Sequence, residues 1–233
     1  MSKLLIVSSS PHVRCGVSTK NLMYDVAIAM LPATIWGVMQ FGIYSLIVVV
    51  ATVLSCVLSE YLFETLMHKP VTISDGSALV TGMILGLNMP PAIPLWMPIL
   101  GGVFAIIVVK QLYGGLGQNW MNPALAARCF MLISFAQAMT KFTDPVTDAV
   151  ASATPLAAIK AGDTYYLAAM FIGKIPGTIG EVSVIALLIG AAYLLVKKVI
   201  TIRIPAAYIL SFAVFAFIFG QHNINYVLAE VCG

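Results

Sequence analysis

Charged side chains are too rare in this chain for a protein that folds in water. Lysine, arginine, aspartate and glutamate together make up 9% of its 233 residues, whereas a soluble domain carries about 25%. Apolar residues make up 61%, and only lipid accepts so much apolar surface. The sequence therefore predicts an all-α polytopic membrane protein.

Eight apolar segments are candidates for membrane helices. The third is too short to cross a bilayer and runs into Asn88-Met-Pro-Pro-Ala-Ile-Pro94. Short apolar segments interrupted by proline are typical of discontinuous helices in proteins with internal repeats. Apolar sequence continues to Cys232-Gly233, so we expect the fold to continue beyond this chain. The eight segments cover residues 22–41, 43–65, 77–89, 95–112, 122–138, 182–196, 205–220 and a stretch that begins near 224.

Basic residues divide unevenly between the two sides of the predicted spans. Eight lie on the side of the N-terminus, and three lie in the long loop 139–181 on the other side. An excess of lysine and arginine marks the cytoplasmic side of a membrane protein. We therefore predict a cytoplasmic segment 1–21, a first helical bundle 22–138, an extracytoplasmic loop 139–181 and a second, incomplete bundle 182–233.

The rest of the composition argues against several kinds of site. The net charge of +3 includes no basic run of the kind that binds nucleic acid. The four cysteines lie far apart and form no C-x-x-C pair, which argues against an iron–sulfur or zinc site made by this chain alone. No G-x-G-x-x-G fingerprint follows a strand, so a dinucleotide would bind elsewhere.

The long loop contains an accessible hydroxyl in Asp148-Ala-Val-Ala-Ser-Ala-Thr154-Pro155. The proline pushes Thr154 toward an extended conformation, and the small residues before it leave the hydroxyl open to a modifying enzyme. Covalent modification is one interpretation, and an ordinary turn or helix start is the other. The residues by themselves favour the ordinary turn.

Several long motifs in a fixed order point to a known family. The chain resembles the D subunits of Rnf electron-transport complexes and, more distantly, the B subunits of Na⁺-translocating NADH:quinone reductases. The likeness runs from about residue 8 to the C-terminus. The motifs that carry it are Ser10-Pro-His12, Ser74-Asp-Gly-Ser-Ala-Leu-Val-Thr-Gly82, Lys110-Gln-Leu-Tyr-Gly-Gly-Leu-Gly-Gln-Asn119, Asn122-Pro-Ala-Leu-Ala-Ala-Arg128 and Gly177-Thr-Ile-Gly-Glu181.

The resemblance implies a covalent cofactor on the loop. In this family a flavin transferase attaches FMN through its phosphate to a threonine in the motif Asp-x-x-Ser/Thr-Gly/Ala-Ala-Thr, which aligns with Asp148 and Thr154. Ala151 stands where a hydroxyl residue is usual, and Ser152 where glycine or alanine is usual. Both substitutes are small, so Thr154 remains the expected site.

The resemblance also implies a second, non-covalent flavin, which is riboflavin in the quinone reductases. The residues that match its site are Thr81, Asn119 and Asn122. A carboxamide offers donors and an acceptor to the edge of a flavin pyrimidine ring. Asn122 has an alternative role, because Asn before Pro123 is ordinary N-cap chemistry at a helix start.

Several charged residues fall within or beside the apolar segments. Asp25, Asp75 and Arg128 are predicted to be paired or functional, unless they lie at the interface; Asp75 is expected to line a site. A helical spacing of four places Glu60, Glu64 and His68 on one face, either as a cation ladder or, more simply, as the wet end of a span. Trp36, Trp96 and Trp120 fit an interfacial aromatic belt.

Taken with the resemblance, these features predict a multi-pass subunit of the bacterial inner (cytoplasmic) membrane. The expected complex is an ion-translocating ferredoxin:NAD⁺ oxidoreductase, with the A, B, C, E and G subunits as partners and without a complete active site on this chain. The family fold is similar to that of urea transporters, as an inverted repeat. The alternatives are a channel or transporter of that fold without redox chemistry, and a purely structural subunit.

Overall fold

The computed structural model describes residues 18–143, 150–151 and 171–219. Within these ranges the regular secondary structure is helical apart from one two-stranded hairpin, which confirms the predicted all-α membrane class. The helices are α1 Thr19–Phe41, α2 Ile43–Leu66, α3 Ser77–Leu87, α4 Trp96–Val103, α5 Pro123–Ser134, α6 Ala136–Met139, α7 Val184–Val196 and α8 Arg203–Phe219. A 3-10 turn covers Ile73–Asp75, a π-helix covers Phe104–Gln111, and the strands are β1 Phe142–Thr143 and β2 Val150–Ala151.

The first two helices are long and apolar enough to cross a bilayer. α1 has 23 residues and α2 has 24, and both agree with the predicted spans 22–41 and 43–65. Gly42 alone joins them, at a φ of +81° that favours glycine. Their outer faces expose large apolar side chains such as Ile35, Leu54 and Leu58. These surfaces suit lipid rather than water.

Helix α3 is the discontinuous helix that the sequence predicts. Its 11 residues extend about 16 Å at 1.5 Å per residue, roughly half of the hydrocarbon core. The helix ends before Pro90, at Asn88. Its exposed backbone carbonyls at this end find partners in the segment 177–181, because Ile179 N donates to Met89 O at 3.1 Å and Gly180 N to Leu87 O at 2.8 Å.

Glycines let α3 approach α2 closely, and this is the most extensive helix packing in the described chain. A Cβ on Gly82 would lie 2.6 Å from Val53 Cα, and one on Gly86 would lie 3.0 Å from Val49 Cα. Small residues four apart allow this kind of backbone contact in membranes, where packing replaces the hydrophobic effect as the force between helices. The spacing is visible in the sequence, but it does not indicate which helix lies opposite.

The last helices are peripheral in the described chain. α7 packs on α1, where Gly190 faces Ala29 O, and α8 buries none of its residues against the other described segments. The segment expected near 224 lies outside the described residues, as does Ser10-Pro-His12. The inverted repeat and the domain boundaries remain predictions.

Replacement of Gly82 by alanine is expected to destabilise the protein by about 1–3 kcal/mol, the usual cost of overpacking. The added methyl group meets the α2 backbone, which cannot move aside as a side chain could. The fall in unfolding temperature of the detergent-solubilised protein measures the effect. Gly101→Ala is the matched control, since its nearest neighbour would be Met131 Cγ at 3.4 Å. Equal unfolding temperatures for the two variants would contradict the packing argument.

Candidate functional site

A cavity of about 410 Å³ lies where the start of α3, the end of the π-helix and the start of α5 meet. We call it the polar cavity. Thr81, Asn119 and Asn122 all border it, so the structure brings together the three residues predicted to hold a second flavin. Ser77, Lys110 and Trp120 also border it, and none of these three was a predicted site residue.

The chain changes from the α-helix α4 to a π-helix as it approaches this cavity. Over Phe104–Gln111 the backbone forms a π-helix, a rare form that occurs often at functional sites. The glycine-rich turn then follows, with φ of +112°, +99° and +87° at Gly114, Gly115 and Gly117. Side chains rarely adopt such values, which explains three glycines in the four residues 114–117. Asn119 follows this turn and borders the cavity.

Each of the three predicted residues makes one local hydrogen bond and keeps polar groups free. Asn119 Nδ2 donates to Met121 O at 2.9 Å, and Thr81 Oγ1 donates to Ser77 O at 2.8 Å. Asn122 Oδ1 accepts from Ala124 N at 3.0 Å as the N-cap of α5. The two interpretations of Asn122 are therefore compatible, because its side-chain N–H groups have no acceptor among the described residues.

Lys110 lies at the centre of a buried polar network beside the cavity. Its Nζ donates to Glu60 Oε1 at 2.5 Å and to Ser77 Oγ at 2.6 Å. The lysine is 2% exposed and the glutamate 0%. Ser77 Oγ in turn donates to Asp75 Oδ1 at 2.6 Å. In the sequence, Lys110 contributed to the predicted orientation of the chain and to one family motif, but it was not a predicted site residue; a Lys-Gln pair at the end of an apolar span was the available signal.

The two glutamates of α2 are not the solvated end of a span, so that interpretation was wrong. Glu64 is 2% exposed, and its carboxylate accepts from Thr72 N at 2.9 Å and Thr72 Oγ1 at 2.5 Å. Gln111 Nε2 donates to both carboxylates, at 2.9 Å to Glu60 and 3.2 Å to Glu64. His68 does not continue the ladder, because α2 ends at Leu66 and His68 is exposed.

Asp75 caps α3 instead of lining the cavity. Its Oδ1 accepts from the backbone N of Ser77 at 2.8 Å as well as from the Ser77 hydroxyl. A carboxylate at this position satisfies an unpaired backbone N–H and interacts favourably with the helix dipole. Asp75 is therefore connected to the polar cavity only by its hydrogen bonds with Ser77.

Asp25 and Arg128 are paired, as expected of charges near apolar segments. Asp25 Oδ1 accepts from Tyr193 OH at 2.8 Å and lies 3.9 Å from Lys197 Nζ. Arg128 Nη1 donates to Asn88 Oδ1 at 2.6 Å. Both pairs connect separate helices, and neither borders the polar cavity as the structure describes it.

The polar cavity and the strand hairpin lie at opposite ends of α5. Asn122 borders the polar cavity just before the helix, and Phe135, just after it, borders a separate cavity with Pro94. The 12 residues of α5 extend about 18 Å. β1 begins at Phe142, and in the sequence β2 ends three residues before Thr154. Thr154 lies outside the described residues, together with Asp148 and Ser152.

The sequence agrees with one family model along almost its whole length. The model of the NQR2, RnfD, RnfE family matches residues 6–232. The chain belongs to this family. The match to the NQR2, RnfD, RnfE family covers the polar cavity, the hairpin and the whole loop 139–181.

Curated members of the family show the same relationship. The chain is 46% identical to the D subunit of the Na⁺-translocating ferredoxin:NAD⁺ oxidoreductase complex of Acetobacterium woodii, over 97% of this chain and 73% of that protein. It is 39% identical to the D subunit of the proton-translocating complex of Clostridium ljungdahlii, over 93% and 70%. It is 32% identical to the D subunit of an ion-translocating oxidoreductase complex of Halorhodospira halophila, over 94% and 71%.

The free polar groups of this NQR2, RnfD, RnfE member suit the edge of a flavin ring. The cavity falls within the range of roughly 300–1,000 Å³ usual for small-molecule sites. Asn119 offers its Oδ1 and a second N–H, Asn122 its N–H groups, and Thr81 its oxygen lone pairs, so the cavity presents both donors and acceptors, and a pyrimidine ring edge needs both. Trp120, 69% exposed at the rim, supplies an aromatic surface.

Removal of one partner of the buried ion pair is expected to cost about 3–5 kcal/mol, because the other charge is left unpaired. Lys110→Met and Glu60→Gln should each lower the unfolding temperature in detergent strongly. The double variant, which removes both charges of this pair, should recover most of the loss. If the fall in unfolding temperature of the double variant equals the sum of the falls in the two single variants, the two side chains do not depend on each other.

Proposed function

We propose that this chain is the flavin-carrying membrane subunit of an ion-translocating ferredoxin:NAD⁺ oxidoreductase. One flavin is FMN, joined through its phosphate to Thr154, and a second flavin, of the riboflavin type, lies in the polar cavity. Flavins supply one- and two-electron transfer when bound. The chain itself positions these groups at two depths of the membrane.

The observation that carries this proposal is the convergence of Thr81, Asn119 and Asn122 on one cavity. The family resemblance alone predicts these positions, and Thr81 lies on α3 whereas the two asparagines lie in the segment between the π-helix and α5. A structural role does not explain all three residues, because only Asn122 caps a helix. Their remaining donors and acceptors stay available to a ligand.

The covalent site rests on the family motif that ends at Thr154, and the loop sequence and the order of elements support it. Thr154 precedes a proline and follows small residues, so an enzyme could reach its hydroxyl. The loop begins at the end of α5 that lies away from the polar cavity. With the N-terminus in the cytoplasm, this arrangement would put FMN on the outer side of the inner membrane and the second flavin toward the cytoplasm.

Ferredoxin, NAD⁺ and the remaining subunits complete the proposed reaction. The relatives are named as subunits of ferredoxin:NAD⁺ oxidoreductase complexes that translocate Na⁺ or protons. This chain has no dinucleotide fingerprint in its sequence, so those substrates would bind to the partner A, B, C, E and G subunits. A flavin transferase would be required to load Thr154.

Thr154→Ala is expected to abolish covalent flavin, because the flavin transferase of this family attaches FMN to the final threonine of the motif and not to the position that Ser152 occupies. Protein co-expressed with its flavin transferase should fluoresce under ultraviolet light after denaturing electrophoresis. One FMN-sized mass should appear on the peptide spanning 142–160. Thr164→Ala, a second loop threonine outside the motif, is the matched control and should retain both signals. An unmodified wild-type peptide would favour the channel or transporter without redox chemistry.

Asn119→Leu is expected to reduce non-covalent flavin in the purified complex several-fold. The substitution removes hydrogen-bonding groups whose loss leaves ligand atoms unpaired, at about 1–3 kcal/mol. Acid-extractable flavin per protein is the measurement. Gln118→Leu is the control, since Gln118 is exposed and is not among the described residues that border the cavity. Equal flavin content in both variants would contradict the placement of the second flavin in this cavity.

A further inference from the structure

A positive charge without a complete set of partners borders the polar cavity. An ammonium group has three N–H donors, and Lys110 uses one on Glu60 and one on Ser77. The third has no acceptor among the described residues. Lys110 and Ser77 both border the cavity, whereas Glu60 does not. The cation is therefore closer to a bound ligand than its counterion is.

The network around Lys110 holds this charge in place. Ser77 accepts from Lys110 and donates to Asp75, so its hydroxyl has one orientation. Glu60 accepts from Lys110 and Gln111 on the same oxygen, while its Oε2 is buried and has no partner within the described chain. The ammonium is 2% exposed, and at such a site water screens its field only weakly. If Lys110 served only to neutralise the charge of Glu60, it would not need to border the cavity.

We propose that Lys110 is a residue that sets the reduction potential of the flavin in the polar cavity. Reduction adds negative charge to the ring system, and a fixed cation beside it stabilises the reduced form relative to the oxidised form. Electrons come from the donor that the complex supplies. Lys110 acts through its charge alone, and no bond to it forms or breaks. This inference rests on the proposed function, because it requires a flavin at Thr81 and Asn119.

The same geometry predicts that Glu60 has the opposite effect on the reduction potential of the flavin. Its carboxylate lies 2.5 Å from the ammonium and offsets part of the field in the cavity. Glu60→Gln should therefore raise the potential, while Lys110→Met should lower it. A residue that only maintains the fold would move the potential in one direction in both variants, or leave it unchanged.

Spectroelectrochemical titration of the non-covalent flavin in the purified complex tests this assignment. Lys110→Met is expected to shift the ratio of reduced to oxidised flavin at least tenfold at a given potential, which is about 30 mV for a two-electron couple. Glu60→Gln should shift it in the other direction. Gln118→Leu, an exposed neighbour outside the network, should leave it unchanged.

The double variant Glu60→Gln with Lys110→Met keeps the test decisive if either single variant fails to fold, because it removes both charges of the ion pair together. Its potential should be lower than that of the wild type, since the nearer charge dominates. An unchanged or raised potential in the double variant would overturn the role of Lys110 while the proposed function stands. A wild-type complex without non-covalent flavin, or one that keeps it in Asn119→Leu, would instead overturn the proposed cavity and the inference together.

Discussion

The buried ion pair of Lys110 and Glu60 joins three parts of the helical bundle. Glu60 belongs to α2 and Lys110 to the π-helix, and the second hydrogen bond of the lysine reaches Ser77 at the start of α3. A charge at the centre of a bilayer costs about 2.5–3.5 kcal/mol on insertion scales, so each partner requires the other. Because the same contacts form one wall of the polar cavity, the packing of these helices and the site depend on one interaction.

The irregular backbone around the cavity has partners for its polar groups, as an apolar surrounding demands. At the end of the π-helix, Leu112 N donates to Ile107 O at 3.1 Å and Gly115 N to Lys110 O at 3.0 Å. Asp75 caps the start of α3, and the segment 177–181 satisfies carbonyls at its end. The motif Gly177-Thr-Ile-Gly-Glu181 thus has a structural explanation, since it completes a helix that stops inside the bundle.

Family membership and the cavity support different parts of the proposed function. The relatives name the class of complex, and their names differ in the translocated ion. The cavity brings together the residues proposed to hold the second flavin, and its lysine would give a ligand there a defined electrostatic environment. The acidic cluster beside it is held by hydrogen bonds from Thr72 and Gln111, so the wall of the cavity and the carboxylates of α2 share one network.

The sequence by itself determined the membrane class, the long first spans, the broken third helix, and the Asn122 cap of α5. These features depend on local composition, on proline, and on residues adjacent in the chain. Only the tertiary structure decided that Glu60 and Glu64 are buried and that Lys110 borders the cavity with Thr81. These outcomes depend on pairing between side chains about 50 residues apart, which helical spacing within one segment cannot specify. The contact of Asp75 with Ser77 is local, but the sequence pattern did not distinguish it from a role in lining the site.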